Sequence, residues 1–358
     1  MAERIAIFLP NWIGDVVMAT PLLRALRRQL GTNVELIGVM KPYVADVLQG
    51  TSWLNERVSY DPRNGDRALG GWALVKRLRS LNIDSALLLT NSLRTAALAW
   101  MSGAKRRVGY ARDWRGWLLT ERFQPPRAEG QWQPISAVDY YLRLGTAWGC
   151  GIEDQRLELV CTPQDAALAE QVWQRLALPR AGRVVALHAA GGGNGTATAK
   201  AWPVEHFGAL ARELATQHNA EVLVLCGPNE RDTAREIVRL ANNARVKSLA
   251  GESPSISLTK GCLNRCDLLV STDSGPRHIA TALNVPTIGL FGATDPRWAE
   301  TFHARGMIIF NRLECGPCGE KHCPLGHHHC MRELSVERVL FAVQQQLAQD
   351  RRKLSVSA

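Results

Sequence analysis

Short runs of branched apolar residues alternate along this chain with longer stretches in which apolar positions recur every three or four residues, and the alternation occurs twice. In the first half, RIAIFLP, NVELIGVM and SALLLTN have the continuous apolar character of strands buried on both faces, whereas DVVMATPLLRALRRQL and GGWALVKRLRSL have the spacing of amphipathic helices. That order predicts a parallel sheet wound with helices. Residues 105–135 break the rhythm with Gly, Pro, Trp and Arg, and predict exposed loop. After a helix, SAVDYYLRLGTAWG, the alternation restarts at RVVALHAAGGGNG and continues through PVEHFGALARELATQH, AEVLVLCG, ERDTAREIVRLA, DLLVSTD, GPRHIATALN and PTIGLFG. The restart predicts a second α/β domain, residues 179–334, divided from a first, 1–178, by the Pro- and Gly-containing stretch LALPRAGR near 175–183. An amphipathic helix over about 335–353 is expected to cross back to the first domain.

Length agrees with the pattern: 358 residues exceed the roughly 250–300 at which single cores stop growing. No apolar stretch approaches the ~20 residues of a spanning helix. Pro10, Asn11, Gly14 and Asp15 interrupt the opening segment, which therefore lacks the apolar core of a signal peptide and predicts a cytoplasmic protein. Lys and Arg outnumber Asp and Glu by 43 to 33, a balance suited to polyanionic partners: nucleic acid, anionic lipid headgroups or phosphorylated glycans.

In an open α/β sheet, ligands bind beyond the carboxyl ends of the strands. Three loops fit that place. The first, LPNWIGD, brings Asp15 to the start of a helix, either as a cap for backbone amides or as a general base for a hydroxyl nucleophile. The second, HAAGGGNGTATAKAWP (188–203), offers glycine amides, the Thr196 and Thr198 hydroxyls and the Lys200 ammonium to a phosphate; its bland alternative is a flexible surface loop. It is neither a Walker A loop nor a GxGxxG fingerprint. In the third, STDSGPRH, Asp273, Ser274 and Gly275 stand where a strand yields to a helix, with backbone amides free for an anion, and His278 lies one turn on.

Five of the nine cysteines (Cys150, Cys161, Cys226, Cys262, Cys266) sit in or beside apolar stretches and are expected in the core. The other four, Cys315, Cys318, Cys323 and Cys330, fall within ECGPCGEKHCPLGHHHC, a spacing suited to one structural Zn or Fe ion, or else to free thiols in a loop.

The stretches PNWIGDVVMATPLLRAL, AKAWPVEHF and STDSGPRHIATALNVPTIGLFGATDP resemble glycosyltransferase family 9, the ADP-heptose:lipopolysaccharide heptosyltransferases, in order and across both halves; PNWIGD, RVGYARDWRGWLL and the Cys-rich tail are most like heptosyltransferase II. The resemblance implies a GT-B fold, two Rossmann-like domains facing across a cleft, with the acceptor on the first and the ADP-sugar on the second. It implies inverting transfer of heptose, the second of the lipopolysaccharide inner core, with no metal needed for the transfer. Asp15 matches the family's base and Lys200 its phosphate-binding lysine. Asp273, Ser274, Gly275 and His278 match its donor loop, and Glu230 the acid that holds the ribose. Asn11 and Trp12, with Arg106, Arg107, Arg112, Trp114 and Arg115 of the basic, aromatic stretch, are then expected to meet a phosphorylated lipid A–core acceptor at the inner face of the cytoplasmic membrane. The same family with another nucleotide-sugar or acceptor is one alternative. A two-domain nucleotide-dependent oxidoreductase is a second, opposed by the missing GxGxxG; a zinc-containing nucleic-acid binder is a third, opposed by the lack of a recognisable reading helix or aromatic platform.

Overall fold

A computed structural model describes residues 3–128, 130–189 and 199–356. The twofold alternation becomes two units, Met1–Val160 and Cys161–Ala358, each built on a parallel sheet of six strands.

In the first unit the chain runs β1 (Arg4–Phe8), α1 (Ile13–Met18), α2 (Thr20–Leu30), β2 (Glu35–Met40), α3 (Pro42–Ala45), β3 (Glu56–Ser59), α4 (Gly71–Ser80), β4 (Ser85–Leu88), α5 (Leu93–Met101), β5 (Arg106–Tyr110) and β6 (Glu121–Phe123). A short antiparallel pair, β7 (Arg127–Ala128) and β8 (Gln131–Trp132), precedes α6 (Ala137–Gly145). The sheet order is β3-β2-β1-β4-β5-β6. Apolar residues bury β1 on both faces, as a parallel sheet covered by helices requires. The stretch expected as loop over 105–135 thus contains two strands of the main sheet. Their short apolar runs were hidden by arginines: Arg106 and Arg107 begin β5, and their guanidinium groups are neutralised or hydrogen-bonded locally.

The second unit repeats the plan: α7 (Pro163–Arg175), β9 (Val184–His188), α8 (Val204–Gln217), β10 (Glu221–Leu225), α9 (Arg231–Ala241), β11 (Val246–Ser248), α10 (Ile256–Leu263), β12 (Leu268–Thr272), α11 (Gly275–Ala282), β13 (Thr287–Phe291) and β14 (Gly306–Phe310), then α12 (His329–Arg332) and α13 (Val336–Val356). Its order, β11-β10-β9-β12-β13-β14, is that of the first sheet. Both have the 3-2-1-4-5-6 arrangement of doubly wound nucleotide-binding folds.

Two boundaries differ from the expectation. Helix α7 lies ahead of the expected linker, yet it belongs to the second unit because α10 packs on it. Gly261 permits this approach: a Cβ there would stand 2.1 Å from the Asp165 carbonyl oxygen. The C-terminal helix does not find its apolar partner on the first unit, since Val339, Ala342, Val343 and Leu347 are buried in the core of the second, with Phe207, Leu214 and Val270. Of the five cysteines expected in the core, Cys150, Cys262 and Cys266 are buried and Cys161 and Cys226 are half-buried.

The α7–α10 contact encloses an ion pair. Lys260 Nζ lies 2.9 Å from Asp165 Oδ2 with both side chains fully buried, and Asp165 also closes a capping box with Thr162 at the start of α7. Removing one partner strands a buried charge, at a cost of about 3–5 kcal/mol. Lys260→Met is therefore expected to lower unfolding free energy by about that amount, whereas the double variant Lys260→Met/Asp165→Asn, which keeps a cap and buries no charge, recovers most of the loss. Urea unfolding of the two variants measures the difference; equal losses would contradict the account.

Candidate functional site

Where neighbouring strands of a doubly wound sheet send their following loops in opposite directions, a crevice opens at the carboxyl edge. In the second sheet that point lies between β9 and β12, where His188 pairs in register with Ser271. The segment after β9 carries Lys200 and the segment after β12 carries Asp273 and Ser274, so the topology brings together residues 73 positions apart. Lys200 Nζ donates to Asp273 Oδ2 at 2.8 Å. Gly275 opens α11 immediately afterwards. Thr196 and Thr198 lie outside the described residues.

The electrostatics of this crevice are those of one carboxylate among cations. Burial opposes ionisation of Asp273, but Lys200, Arg277 and His278 outweigh it and hold the carboxyl below its usual range. Arg277 Nη2 and His278 Nε2 each stand 3.9 Å from Asp273 Oδ1. Arg277, absent from the sequence reading, is buried, donates to the Ala299 carbonyl at 2.7 Å and lies over the Phe291 ring. Burial, then the charge of Arg277, push His278 down to about 3. Its imidazole is therefore neutral at physiological pH. Since Nε2 faces the Arg277 donor at 3.4 Å, Nδ1 carries the proton, and it has no partner among the described residues. Lys200, Arg277 and a helix start converge on one place, a set of donors fitted to a phosphate.

Glu230, on the turn after β10, joins the same edge. Its Oε2 accepts from the Gly227 amide at 2.8 Å and from His188 Nε2 at 3.2 Å. Burial alone would raise its pKa, but the bond and charge of His188 and the Gly227 amide hold it low. His188 also escaped the sequence reading. Quoted there as the start of a glycine-rich loop, it is the buried last residue of β9; a polar residue ending an otherwise apolar strand was the available signal.

In the first unit the corresponding point lies between β1 and β4. Asn11, Trp12 and Asp15 follow β1. Trp12, not Asp15, occupies the N-cap position of α1; Asp15 is in its first turn. The hydroxyl of Tyr141, on α6, donates to Asp15 Oδ1 at 3.3 Å. Burial and the neighbouring carboxylate push the Tyr141 phenol well up, so it remains a donor. The Asn11 carbonyl accepts from the Tyr43 hydroxyl. Trp12 is 74% exposed, and Trp114, at left-handed φ 59° on the loop after β5, is 93% exposed. Arg112 lies beside Trp114 on that loop, 3.8 Å from the Asp113 carboxylate.

Three arginines expected to meet an acceptor are engaged otherwise. Arg106 stands at the opposite, amino end of β5, doubly bonded to Glu121 at 2.6 and 3.0 Å and stacked on Trp148. Arg107, also at that end, donates to the carbonyls of Leu118 and Ala104. Arg115 is fully buried, bonded to the carbonyls of Tyr110 and Thr90 and to Asn91, and burial lowers its pKa to about 10. They fasten β5 and its loop instead of facing solvent. A basic run in sequence does not distinguish cations that bind a ligand from cations that satisfy backbone carbonyls.

In the Cys-rich segment, Cys315, Cys318, Cys323 and Cys330 line one small cavity of about 20 Å³ together with His327, Ala199 and Gly292. That is room for one atom-sized occupant. As the side chains stand, no three described His, Cys, Asp or Glu residues are arranged to hold a metal ion. The segment is tied to the site by backbone: the Ala199 amide donates to the Lys321 carbonyl and the Gly319 amide to the Ala293 carbonyl, both at 2.8 Å.

Comparison with known proteins places these features in a family. Lipooligosaccharide heptosyltransferase 2 of Campylobacter jejuni is 24% identical over 344 residues, covering 94% of this chain and 97% of that protein. Among solved structures, a family 9 glycosyl transferase of Veillonella parvula superposes with a TM-score of 0.81 at 20% identity, covering 97% of each chain. The ADP-heptose lps heptosyltransferase II of Escherichia coli superposes with a TM-score of 0.78 at 21% identity, covering 98% of this chain and all of that one. These likenesses establish the GT-B fold. The family model for glycosyltransferase family 9 (heptosyltransferase) matches residues 71–329, and the chain belongs to that family.

Proposed function

We propose that this protein transfers heptose from ADP-heptose to the inner core of lipopolysaccharide, as a heptosyltransferase II adding the second heptose. The observation that carries the reading is the meeting of Lys200 with Asp273 and the start of α11 at the β9/β12 switch point, in a chain of this family. ADP sits with its ribose on Glu230 and its diphosphate on Lys200 and the start of α11, while Asp273 and Ser274 meet donor hydroxyls. Asp15 takes the proton of the acceptor hydroxyl, whose oxygen attacks the anomeric carbon as the bond to ADP breaks; one displacement inverts that centre. Charge developing on the leaving phosphate is met by Lys200 and Arg277, so the transfer itself requires no metal. Tyr141 orients Asp15, and neutral His278 packs beside Arg277 beneath the site. Asn11, Trp12, Arg112 and Trp114 take the phosphorylated lipid A–core acceptor, and the exposed tryptophans with the net basic charge suit the inner face of the cytoplasmic membrane. Cys315, Cys318, Cys323 and Cys330 are the residues that would hold one Zn or Fe, and such an ion would tie the segment together without a part in transfer.

Incubation with ADP-heptose and defined truncated core acceptors, with product mass as the readout, tests the reaction; transfer of a different sugar would point to the same family with another donor. Asp15→Asn is expected to keep ADP affinity and lose a factor of about 10²–10⁴ in turnover. Lys200→Ala should lower turnover as well as donor affinity, because the charge it meets is greatest in the transition state. Arg112→Ala and Trp114→Ala should raise acceptor KM and leave ADP binding unchanged. Steady-state kinetics with calorimetry separates these outcomes, and loss of ADP binding in the Arg112 or Trp114 variant would contradict the division of substrates between the units.

Metal analysis of protein prepared without chelator should find about one equivalent of Zn or Fe per chain. None found, or an equivalent retained after all four cysteines are replaced by serine, would remove the metal from this reading.

A further inference from the structure

Serine is among the best helix caps, its hydroxyl accepting from an amide of the first turn. Ser274 occupies the N-cap position of α11, yet its hydroxyl makes no capping bond. It lies instead 3.1 Å from His188 Nδ1 and 2.8 Å from the Ser271 hydroxyl. The other nitrogen of the same ring stands 3.2 Å from Glu230 Oε2. A carboxylate only accepts, so Nε2 carries a ring proton, while Nδ1 holds the Ser274 hydroxyl on the other side of the ring. The ring is 4% exposed and sits at the end of a central strand, with a partner on each nitrogen.

We propose that His188 is a positioning residue that draws the Ser274 hydroxyl away from the start of α11, keeping its amides open for the donor phosphate, while its other nitrogen holds Glu230 for the ribose. The proposal rests on the donor-site reading above. Pro276 supplies no amide, which leaves Gly275 and Arg277 as the donors of the first turn ahead of the helix's own bonds. A freed Ser274 would cap Arg277 and compete with phosphate for that amide.

Glutamine and asparagine separate the two functions of the ring, because a glutamine amide reaches the place of Nε2 and an asparagine amide that of Nδ1. His188→Gln keeps the bond to Glu230 and frees Ser274. ADP affinity, measured by calorimetry, should fall roughly two- to thirtyfold, the range of one helix cap. In a Ser274→Ala background, which has no hydroxyl to act as a cap, His188→Gln should cost no further affinity. His188→Asn should retain diphosphate binding better than His188→Gln while weakening binding of adenosine, which reports on Glu230. An equal loss from His188→Gln in both backgrounds would overturn the proposal and leave the donor site standing. Failure of the unsubstituted protein to bind ADP would overturn both. Should His188→Gln not fold, the ring-nitrogen NMR shifts of the unsubstituted protein decide: a proton on Nε2 supports the proposal, and an unprotonated Nε2 overturns it.

Discussion

The second unit depends on one buried carboxylate that is outnumbered. Asp273 ends the strand run at the switch point, where Lys200, Arg277 and His278 converge on it. Arg277 is buried beside it, and a buried cation is costly unless paired, whereas Lys200 reaches it from a half-exposed position. With it, Lys200 and Arg277 are both held at the start of α11. A site of that kind is stable when empty and gains when an anion enters. The neutrality of His278 belongs to the same arrangement: next to buried Arg277 a second protonated group is excluded, so the ring serves as a dipole and leaves the net charge to Lys200 and Arg277.

The first unit solves a different problem at its own carboxyl edge. Trp12 follows β1, Tyr43 follows β2, and Trp114 and Trp117 follow β5, all exposed beyond the strands they succeed. Their loops are fastened from below: Tyr43 bonds the Asn11 carbonyl, and Arg115 bonds the carbonyls of Tyr110 and Thr90. Aromatic surface held out on rigid loops costs little ordering entropy when it meets a ligand. The arginines of the basic stretch therefore divide by position. Arg112 shares the exposed loop with Trp114 and also bonds Tyr140, while Arg106, Arg107 and Arg115 hold that loop and its strand in place.

The doubled α/β pattern was legible because parallel strands buried on both faces read as unbroken apolar runs, as in β1, β2, β9 and β12. The last two strands of the first sheet were less so: β5 begins with two arginines and the edge strand β6 is three residues long, so neither has the apolar length that marks a strand. Among candidate site residues, Lys200, Asp273, Ser274 and Glu230 were singled out through their motifs, and the structure gathers them along one edge. His188, Arg277 and Tyr141 were not, because each acts through a contact between distant segments: His188 with Glu230, Arg277 with Ala299, Tyr141 with Asp15. The segment around α7 was divided from its partner because composition marks flexible stretches, whereas the Lys260–Asp165 pair that assigns α7 to the second unit joins residues far apart in sequence.

The Cys-rich segment draws its meaning from what it is bonded to. Ala199 precedes Lys200 and is itself almost fully buried against the cysteine cavity, and its amide is held by the Lys321 carbonyl. Gly319 is bonded to Ala293, just beyond β13, and Gly292 leaves no space for a side chain, since a Cβ there would lie 2.5 Å from Met331 Sδ and 3.0 Å from Cys330 Sγ. The segment is thus anchored at the end of β13 on one side and at the backbone that presents Lys200 on the other. Whatever fixes the four thiols relative to one another also fixes that backbone. A long, flexible lysine needs such an anchor more than a strand residue does, because it enters the site from a loop and loses the most rotational freedom when it binds. The Cys-rich segment and the backbone that presents Lys200 are thus joined through the Ala199–Lys321 bond.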